Sequence, residues 1–147
     1  MPRIERTATA EWTGNVARGQ GAISGASGAF AVPYSLASRV GQPEGRTSPE
    51  ELLAAAHAGC FAMSVAGELA GAGAPPGIVE VRCTIVMDEV EGQGHQIVGS
   101  RIEADVRGEG IDDGRLAEVI DRADEGCPFS SLLRRAGASV SVAAALV

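Results

Sequence analysis

The feature that most constrains the fold of this chain is a long apolar segment that begins at Ser48. Ser48 and Pro49 suit the N-cap and the first position of a helix, and Glu51 completes a capping box with Ser48. The residues that follow, 52–70, contain many alanines, no proline and few polar side chains. A helix that is apolar on nearly every side is typical of the centre of a fold. The segment therefore predicts a buried central helix.

The same segment bears on the partners of the protein. A membrane span needs about 20 predominantly apolar residues, and this helix is slightly too short and too polar, so we expect no membrane partner. The net charge of −7 disfavours a nucleic-acid partner, because phosphates are bound by Lys and Arg. The first residues contain no continuous apolar stretch of the kind found in secretory signals. We therefore expect a cytoplasmic protein.

Patterns on either side of the helix predict a mixture of strands and helices. Before it we expect a meander of short strands and an irregular loop over 35–47. After it we expect a hairpin, two further helices that begin at Asp112–Asp113 and at Pro128, and a final strand. The predicted strands cover 4–12, 16–23, 28–34, 79–90, 97–106 and 138–147. This order favours an α+β fold, and a length of 147 residues favours a single domain over 1–147.

The chain has three cysteines, which in a cytosolic protein do not indicate a disulfide framework. Cys83 lies on the apolar face of an alternating strand and is expected to be a packing residue. Cys60 lies within the central helix, three residues after His57. A protonated imidazole on the same helix face would favour the reactive thiolate. Cys60 as a small buried hydrophobe, beside a neutral buried His57, remains the alternative.

Cys127 occupies a more informative position. It falls between Gly126, which ends one predicted helix, and Pro128, which begins the next. The free N–H groups at a helix N-terminus favour a thiolate, although a structural Cys-Pro junction remains possible. Glu50 lies in a first helical turn, where acids are expected for electrostatic reasons alone. Arg39 is by default a surface charge in a loop.

Two segments resemble those of a known family. TSPEELLAAAHAGCF (Thr47–Phe61) and CPFSSLL (Cys127–Leu133) are similar to the signature motifs of the OsmC/Ohr family, the osmotically inducible protein C and organic hydroperoxide resistance proteins. The resemblance covers essentially the whole chain, including the Pro33–Ser35 segment and the 67-residue separation of the two cysteines. His57 in its Ala-Ala-His context and the longer loop around Arg39 resemble the OsmC branch more than the Ohr branch.

The resemblance implies an OsmC-like fold, with antiparallel sheets around the buried helix in an intertwined homodimer. It also implies a thiol-dependent peroxidase that reduces organic hydroperoxides to alcohols and needs no metal or other cofactor. Cys60 would be the peroxidatic thiol and Cys127 the resolving thiol, joined in a disulfide that an external dithiol reduces. Arg39 and Glu50 would complete the site, with Arg46 as the competing choice for the arginine.

Reduction of a hydroperoxide explains why these residue types belong together. The attacking sulfur must be a thiolate, and an arginine stays protonated while its planar fork holds sulfur and peroxide oxygens. A carboxylate paired with the arginine holds the fork in place. Glu50 and Cys60 are ten residues apart on the predicted helix, hence separated by about 15 Å along its axis. We therefore expect either a bridging arginine or a contribution of Arg39 and Glu50 from the partner subunit.

Apolar residues near the cysteines in sequence predict an apolar pocket that favours alkyl or lipid hydroperoxides, although ordinary core packing is equally open for each. These residues are Leu53, Phe61, Met63, Phe129 and Leu132.

Two other classes of function remain open from the residues alone. One is a metal-binding protein that uses His57, Cys60 and Cys127, although His95 lies in a hairpin and a fourth ligand is missing. The other is a non-catalytic dimeric protein that binds an apolar ligand. Stoichiometric zinc without peroxide consumption would favour the first, and function retained in Cys60→Ser the second.

Overall fold

The computed structural model describes residues 1–75 and 77–147. The chain forms two compact units, Met1–Leu52 and Leu53–Val147, and the boundary between them falls within one helix. Both units combine strands with helices, which confirms the predicted α+β class. A single domain over 1–147 stays a prediction.

The first unit begins with the expected meander. Strands β1 (Ala8–Thr13), β2 (Gln20–Gly25) and β3 (Ala31–Tyr34) pair antiparallel in the order β1-β2-β3. Gly14 and Gly28 lie in the two connections with φ of 87° and 78°, a backbone region that side chains with a Cβ rarely adopt. The turn glycines therefore set where β1 and β2 end. Both strands begin about four residues later than the predicted ranges 4–12 and 16–23.

The expectation of an irregular loop over 35–47 is wrong, because this segment contains helix α1 (Leu36–Val40). Ser35 is its N-cap and accepts a hydrogen bond from the Ser38 N–H at 3.1 Å, while Ser38 Oγ accepts one from the Ser35 N–H at 3.0 Å. Ser38 Oγ also donates to the Thr47 carbonyl at 2.7 Å. These reciprocal bonds stabilise a helix that has too few apolar residues to be recognised by periodicity.

Helix α2 (Pro49–Gly71) begins where its capping signals predict. Ser48 Oγ accepts the Glu51 N–H at 3.2 Å, as an N-cap does. The Glu51 carboxylate accepts a hydrogen bond from Thr47 Oγ1 at 2.6 Å, so the residue before the cap also contributes.

Two properties of α2 differ from the predictions. With 23 residues and a mean hydropathy of 1.4 over its most apolar window, it is long and apolar enough to cross a membrane, a test that core helices of soluble proteins also pass. In addition, burial within the single chain is confined to one stripe rather than extending around the helix, and Met63 is 78% exposed. The fully buried side chains, spaced four residues apart, are His57, Phe61, Val65 and Leu69.

The second unit contains a three-stranded sheet in the order β4-β5-β6. Strands β4 (Ile78–Val90) and β5 (Gly94–Arg107) form the predicted antiparallel hairpin, with a register shift between Val86 and Met87. Strand β6 (Ser139–Leu146) pairs parallel to β5, which corrects the expectation of purely antiparallel sheets. Two helices separate β5 from β6 along the chain, and such a crossover returns a strand in the same direction.

Those two helices match their predicted positions. Helix α3 (Asp113–Gly126) is capped by Asp112, whose carboxylate accepts the Arg115 N–H at 2.8 Å, and α4 covers Pro128–Arg135. One face of α3 joins the stripe of α2 and the inner side of β5 in the core of the second unit. The core residues are Phe61, Val65, Leu69, Ile102, Ala104, Val106, Leu116, Val119, Ile120, Ala123 and Cys127.

Candidate active site

The second unit brings two of its cysteines together. Cys60 comes from the middle of α2, and Cys127 is the residue shared by the end of α3 and the start of α4. Their sulfurs are 3.7 Å apart, with the Cys127 thiol placed to donate to Cys60 Sγ, and both thiols are free. Cys127 is fully buried, whereas Cys60 is partly exposed. A molecule arriving from solvent therefore meets Cys60 first.

The first turn of α4 acts on the thiol of Cys60. Burial raises the pKa of the Cys60 thiol, and the adjacent Cys127 thiol raises it further. A hydrogen bond from the backbone N–H of Phe129, in the first turn of α4, opposes both and lowers the pKa of Cys60. The N-terminal turn of α4 thus donates to Cys60, which lies 67 residues before the cap residue Cys127 in sequence.

In the first unit, Arg39 of α1 pairs with Glu50 of α2. Arg39 Nη2 and Nε donate to Glu50 Oε1 at 2.6 and 3.0 Å, a fork-like contact between guanidinium and carboxylate. Partial burial acts to raise the pKa of Glu50. The hydrogen bonds and charge of Arg39, together with hydrogen bonds from the Glu50 backbone and from Ser48, outweigh burial and hold that pKa below its ordinary value. Arg46 instead donates to Gln20 Oε1 at 3.4 Å. Of the two candidate arginines, Arg39 is therefore the one that bonds to Glu50.

His57 lies in a buried polar cluster of the second unit. Its Nδ1 is 2.9 Å from Ser100 Oγ on β5, and its Nε2 is 2.9 Å from Ser130 Oγ on α4. The histidine and both serines are at most 1% exposed. Burial lowers the pKa of His57, and a neutral imidazole with one donor and one acceptor nitrogen satisfies both hydroxyls.

Neither serine was predicted as a site residue, although each carries a signal in the sequence. Ser100 is in phase with Ile102, Ala104 and Val106, the buried side of β5, so it is a polar residue at a core-facing position of an alternating strand. Ser130 falls three residues after Cys127, on the buried side of α4. A buried hydroxyl needs a hydrogen-bond partner, and His57 serves both.

Cys83 extends the cluster at the β4 side. Its sulfur lies 3.3 Å from Ser100 Oγ and 3.8 Å from His57 Nδ1, and burial raises its pKa. The predicted packing role accords with its contact with the core. Among residues 1–75 and 77–147, no group of three His, Cys, Asp or Glu side chains is arranged to hold a metal ion. The alternative site of His57, Cys60 and Cys127 finds no support, because both His57 nitrogens face serine hydroxyls.

The five apolar residues expected to form a pocket do not share one environment. Phe61 is fully buried in the core and Phe129 packs against it, while Met63 and Leu132 are 78% and 58% exposed and Leu53 is half-buried. A cleft of about 410 Å³ lies instead in the first unit and includes Arg39. Its other lining residues are Trp12, Gly14, Val16, Tyr34, Ser35, Leu36 and Pro49.

Comparison with known protein families and sequences gives a consistent result. Residues 41–143 match the family model described as OsmC-like protein. The chain is 34% identical over 132 residues to a protein named peroxiredoxin OsmC from Escherichia coli (strain K12). The match covers 89% of this chain and 91% of that relative.

Solved structures share the fold at low sequence identity. An organic hydroperoxide resistance protein OsmC from Legionella pneumophila superposes with a TM-score of 0.77 at 20% identity, over 97% of this chain and 99% of that chain. The organic hydroperoxide resistance protein OhrB of Bacillus subtilis gives 0.70 at 24% identity, over 96% and 98%. An OsmC-like protein of unknown function from Vibrio cholerae gives 0.79 at 14% identity, over 97% and 100%.

Proposed function

Because this chain belongs to the OsmC-like protein family, we propose that it is a thiol-dependent peroxidase that reduces organic hydroperoxides to alcohols. The observation that carries the proposal is the pair of free thiols 3.7 Å apart, one partly exposed and one buried. Such a pair suits a peroxidatic and a resolving cysteine. The names of the relatives, peroxiredoxin and organic hydroperoxide resistance protein, support the same reaction.

We assign the peroxidatic role to Cys60, since it is the more accessible of the two thiols. Its thiolate attacks one oxygen of ROOH, the O–O bond breaks, and the alkoxide leaves as ROH after taking up a proton. The sulfur retains the other oxygen as a sulfenic acid. The Phe129 N–H stabilises the thiolate before attack.

Cys127 then resolves the sulfenic acid. Its sulfur attacks the Cys60 sulfur, the S–O bond breaks, and the leaving hydroxide combines with the Cys127 proton as water. The disulfide protects Cys60 from further oxidation to sulfinic acid. An external dithiol restores both thiols by exchange with the disulfide, and free thiols are the state expected of a cytoplasmic protein.

Arg39 and Glu50 complete the proposed site as activator and orienting group. Within its own unit Cys60 has a raised pKa, so a nearby cation is needed to favour its thiolate. Arg39 stays protonated, and the bonds to Glu50 hold its fork in one orientation. The helical separation of Glu50 and Cys60, about 15 Å along α2, favours an arrangement in which Arg39 and Glu50 serve the cysteines of a partner subunit in a homodimer.

The cleft of the first unit is where we place the organic group of the substrate. Trp12, Val16, Tyr34 and Leu36 give it apolar walls, and Arg39 adds a cation at the same cleft. An apolar cleft with one charged group suits a hydroperoxide that has a bulky hydrocarbon part. Hydrogen peroxide would leave these walls unused.

A thiol count tests the proposal directly. Reduced protein is treated with a small excess of cumene hydroperoxide, and free thiols are titrated before and after under denaturing conditions. We expect the loss of two thiols per chain, with Cys83 still free on peptide mapping. Cys127→Ser should lose one thiol and accumulate sulfinic acid at Cys60, whereas Cys83→Ser should behave like the wild type. Unchanged thiols in the wild type would overturn the proposal.

A further inference from the structure

The buried His57 cluster connects the two segments that carry the reacting cysteines. His57 precedes Cys60 by three residues on α2, so it lies about one helical turn behind that sulfur. Ser130 follows Cys127 by three residues on α4, about one turn behind the other sulfur. The bond between His57 Nε2 and Ser130 Oγ, 2.9 Å long, therefore joins α2 to α4 directly behind the pair of sulfurs.

The remaining partners attach this link to the sheet. Ser100 on β5 bonds to the other imidazole nitrogen at 2.9 Å, and Cys83 on β4 contacts Ser100. The His57 ring also stacks on Phe129 of α4, with centroids 6.4 Å apart and planes inclined by 24°. Because all three bonded side chains are almost completely buried, neither water nor rotation easily replaces the His57 bonds.

The reaction requires controlled movement at this place. The two sulfurs are 3.7 Å apart when reduced, whereas a disulfide has an S–S length of about 2.05 Å. The start of α4 and the Cys60 side chain must therefore approach each other during the lifetime of the sulfenic acid on Cys60. A displacement of about 1 Å at reacting atoms can change a rate by about a hundredfold.

We propose that His57 is a positioning residue for the resolving step, which holds α4 against α2 through Ser130 so that Cys127 reaches the sulfenic acid on Cys60. The inference rests on the proposed peroxidase function and deepens it. His57 touches neither the peroxide nor the reacting sulfurs in this role. His57 affects the rate at which the Cys127 sulfur displaces hydroxide from Cys60. It therefore also affects the fraction of sulfenic acid that a second hydroperoxide oxidises before the disulfide forms.

The two serines allow the link to be cut selectively. Ser130→Ala removes the bond between α2 and α4 and leaves His57 attached to β5. Ser131→Ala is the matched control, because Ser131 is the next residue of the same helix and its described bond runs from its backbone N–H to the Cys127 carbonyl. His57→Leu removes both bonds, while His57→Gln keeps a donor and an acceptor at the end of the side chain.

The experiment follows both steps in single turnover with cumene hydroperoxide. Rapid quenching with dimedone and mass spectrometry give the sulfenic acid, disulfide and sulfinic acid at Cys60 over time. In Ser130→Ala we expect sulfenic acid formation within about twofold of the wild type, a resolving step slowed about tenfold, and a matching increase in sulfinic acid. His57→Leu should behave in the same way, His57→Gln should recover part of the loss, and Ser131→Ala should match the wild type.

Each outcome decides between the two claims. If the wild type forms neither sulfenic acid nor disulfide, the proposed peroxidase function fails. Suppose that the wild type forms both species while Ser130→Ala and Ser131→Ala give the same ratio of disulfide to sulfinic acid. In that case the peroxidase function stands and the positioning role fails. A loss of thermal stability in Ser130→Ala without a change in that division also overturns it, because a merely structural bond would give that result.

Discussion

At the scale of single residues, burial and the neighbouring Cys127 thiol both raise the pKa of Cys60. The Phe129 N–H acts in the opposite direction but leaves the net shift upward. A peroxidatic cysteine works as a thiolate, so the second unit by itself disfavours the reactive form. In the proposed site, the Arg39–Glu50 pair would supply the missing positive charge, since Glu50 accepts hydrogen bonds from two nitrogens of the guanidinium and orients it.

The pH dependence of Cys60 alkylation tests this assignment. Loss of a cation near a thiol raises its pKa, so Arg39→Met should move the alkylation midpoint with iodoacetamide to higher pH. Attack on cumene hydroperoxide at neutral pH should become about a hundredfold slower. Glu50→Gln should give a smaller shift in the same direction. Arg46→Met is the matched control, and superimposed profiles for Arg39→Met and Arg46→Met would contradict the assignment.

His57 predicts a separate pH effect, on stability. Burial lowers the pKa of His57 in the folded protein below its ordinary value of 6.5, so the unfolded chain binds the proton more readily. The contribution of neutral His57 to the free energy of unfolding is then fully present above about pH 6.5. It declines as the pH falls below that value toward the folded-state pKa. The urea midpoint should decrease over this range in the wild type and change less in His57→Gln.

The other histidine of the chain provides the control for that measurement. His95→Gln, on the exposed part of β5, should keep the wild-type slope of midpoint against pH. A wild-type slope in His57→Gln would mean that His57 is not the group responsible.

At the scale of elements, helices with strong local signals were the most predictable. The N-cap and proline at the start of α2, the apolar spacing of α3 and the Cys-Pro junction before α4 placed all three within a residue or two. These signals depend on neighbours in sequence, which is why they can be read without the fold.

Features that depend on distant residues were not predictable in the same way. Strand β6 runs parallel to β5 because of how the intervening helices cross over. The partners of His57 are 43 and 73 residues away in sequence. The pairing of Cys60 with Cys127 was available only through the family motifs, since local pattern alone favoured core packing for Cys60.

Helix α1 was not predicted from the sequence, and it carries Arg39, so its stability should affect activity. Ser38→Ala removes the return bond of the capping pair and the bond to the Thr47 carbonyl. We expect α1 to lose about 1 kcal/mol of local stability and the peroxidase rate to fall, because Arg39 is then less well held. Hydrogen exchange of amides 36–41 and the cumene hydroperoxide rate measure the two effects.

Ser27→Ala is the comparison for Ser38→Ala. Ser27 Oγ also accepts a local backbone N–H, from Ala29 at 3.3 Å, but in the connection between β2 and β3. It should leave exchange in α1 unchanged. Equal exchange rates in both variants would show that the Ser38 bonds do not hold α1.

At the scale of the whole molecule, the described residues of a single chain leave an apolar face of α2 exposed. Met63 is 78% exposed, and the neighbouring exposed positions on that side carry small residues, among them Ala56, Gly59 and Gly67. Small residues let a second helix approach closely, and an apolar face exposed in this way requires a partner surface to bury it. A second copy of the chain, which buries the same face on both subunits, satisfies this requirement.

A homodimer with shared sites predicts that two inactive variants restore each other. Arg39→Met lacks the activating arginine, and Cys60→Ser lacks the nucleophile. If Arg39 of one subunit serves Cys60 of its partner, each mixed dimer contains one intact site. Random mixing makes half of the dimers mixed, so activity per site should reach about a quarter of the wild type. The two variants are mixed in denaturant, refolded together and assayed with cumene hydroperoxide. Their activity per site is compared with that of each variant refolded alone. Activity no greater than the average of the two separate variants would place Arg39 and Cys60 of each site on the same chain.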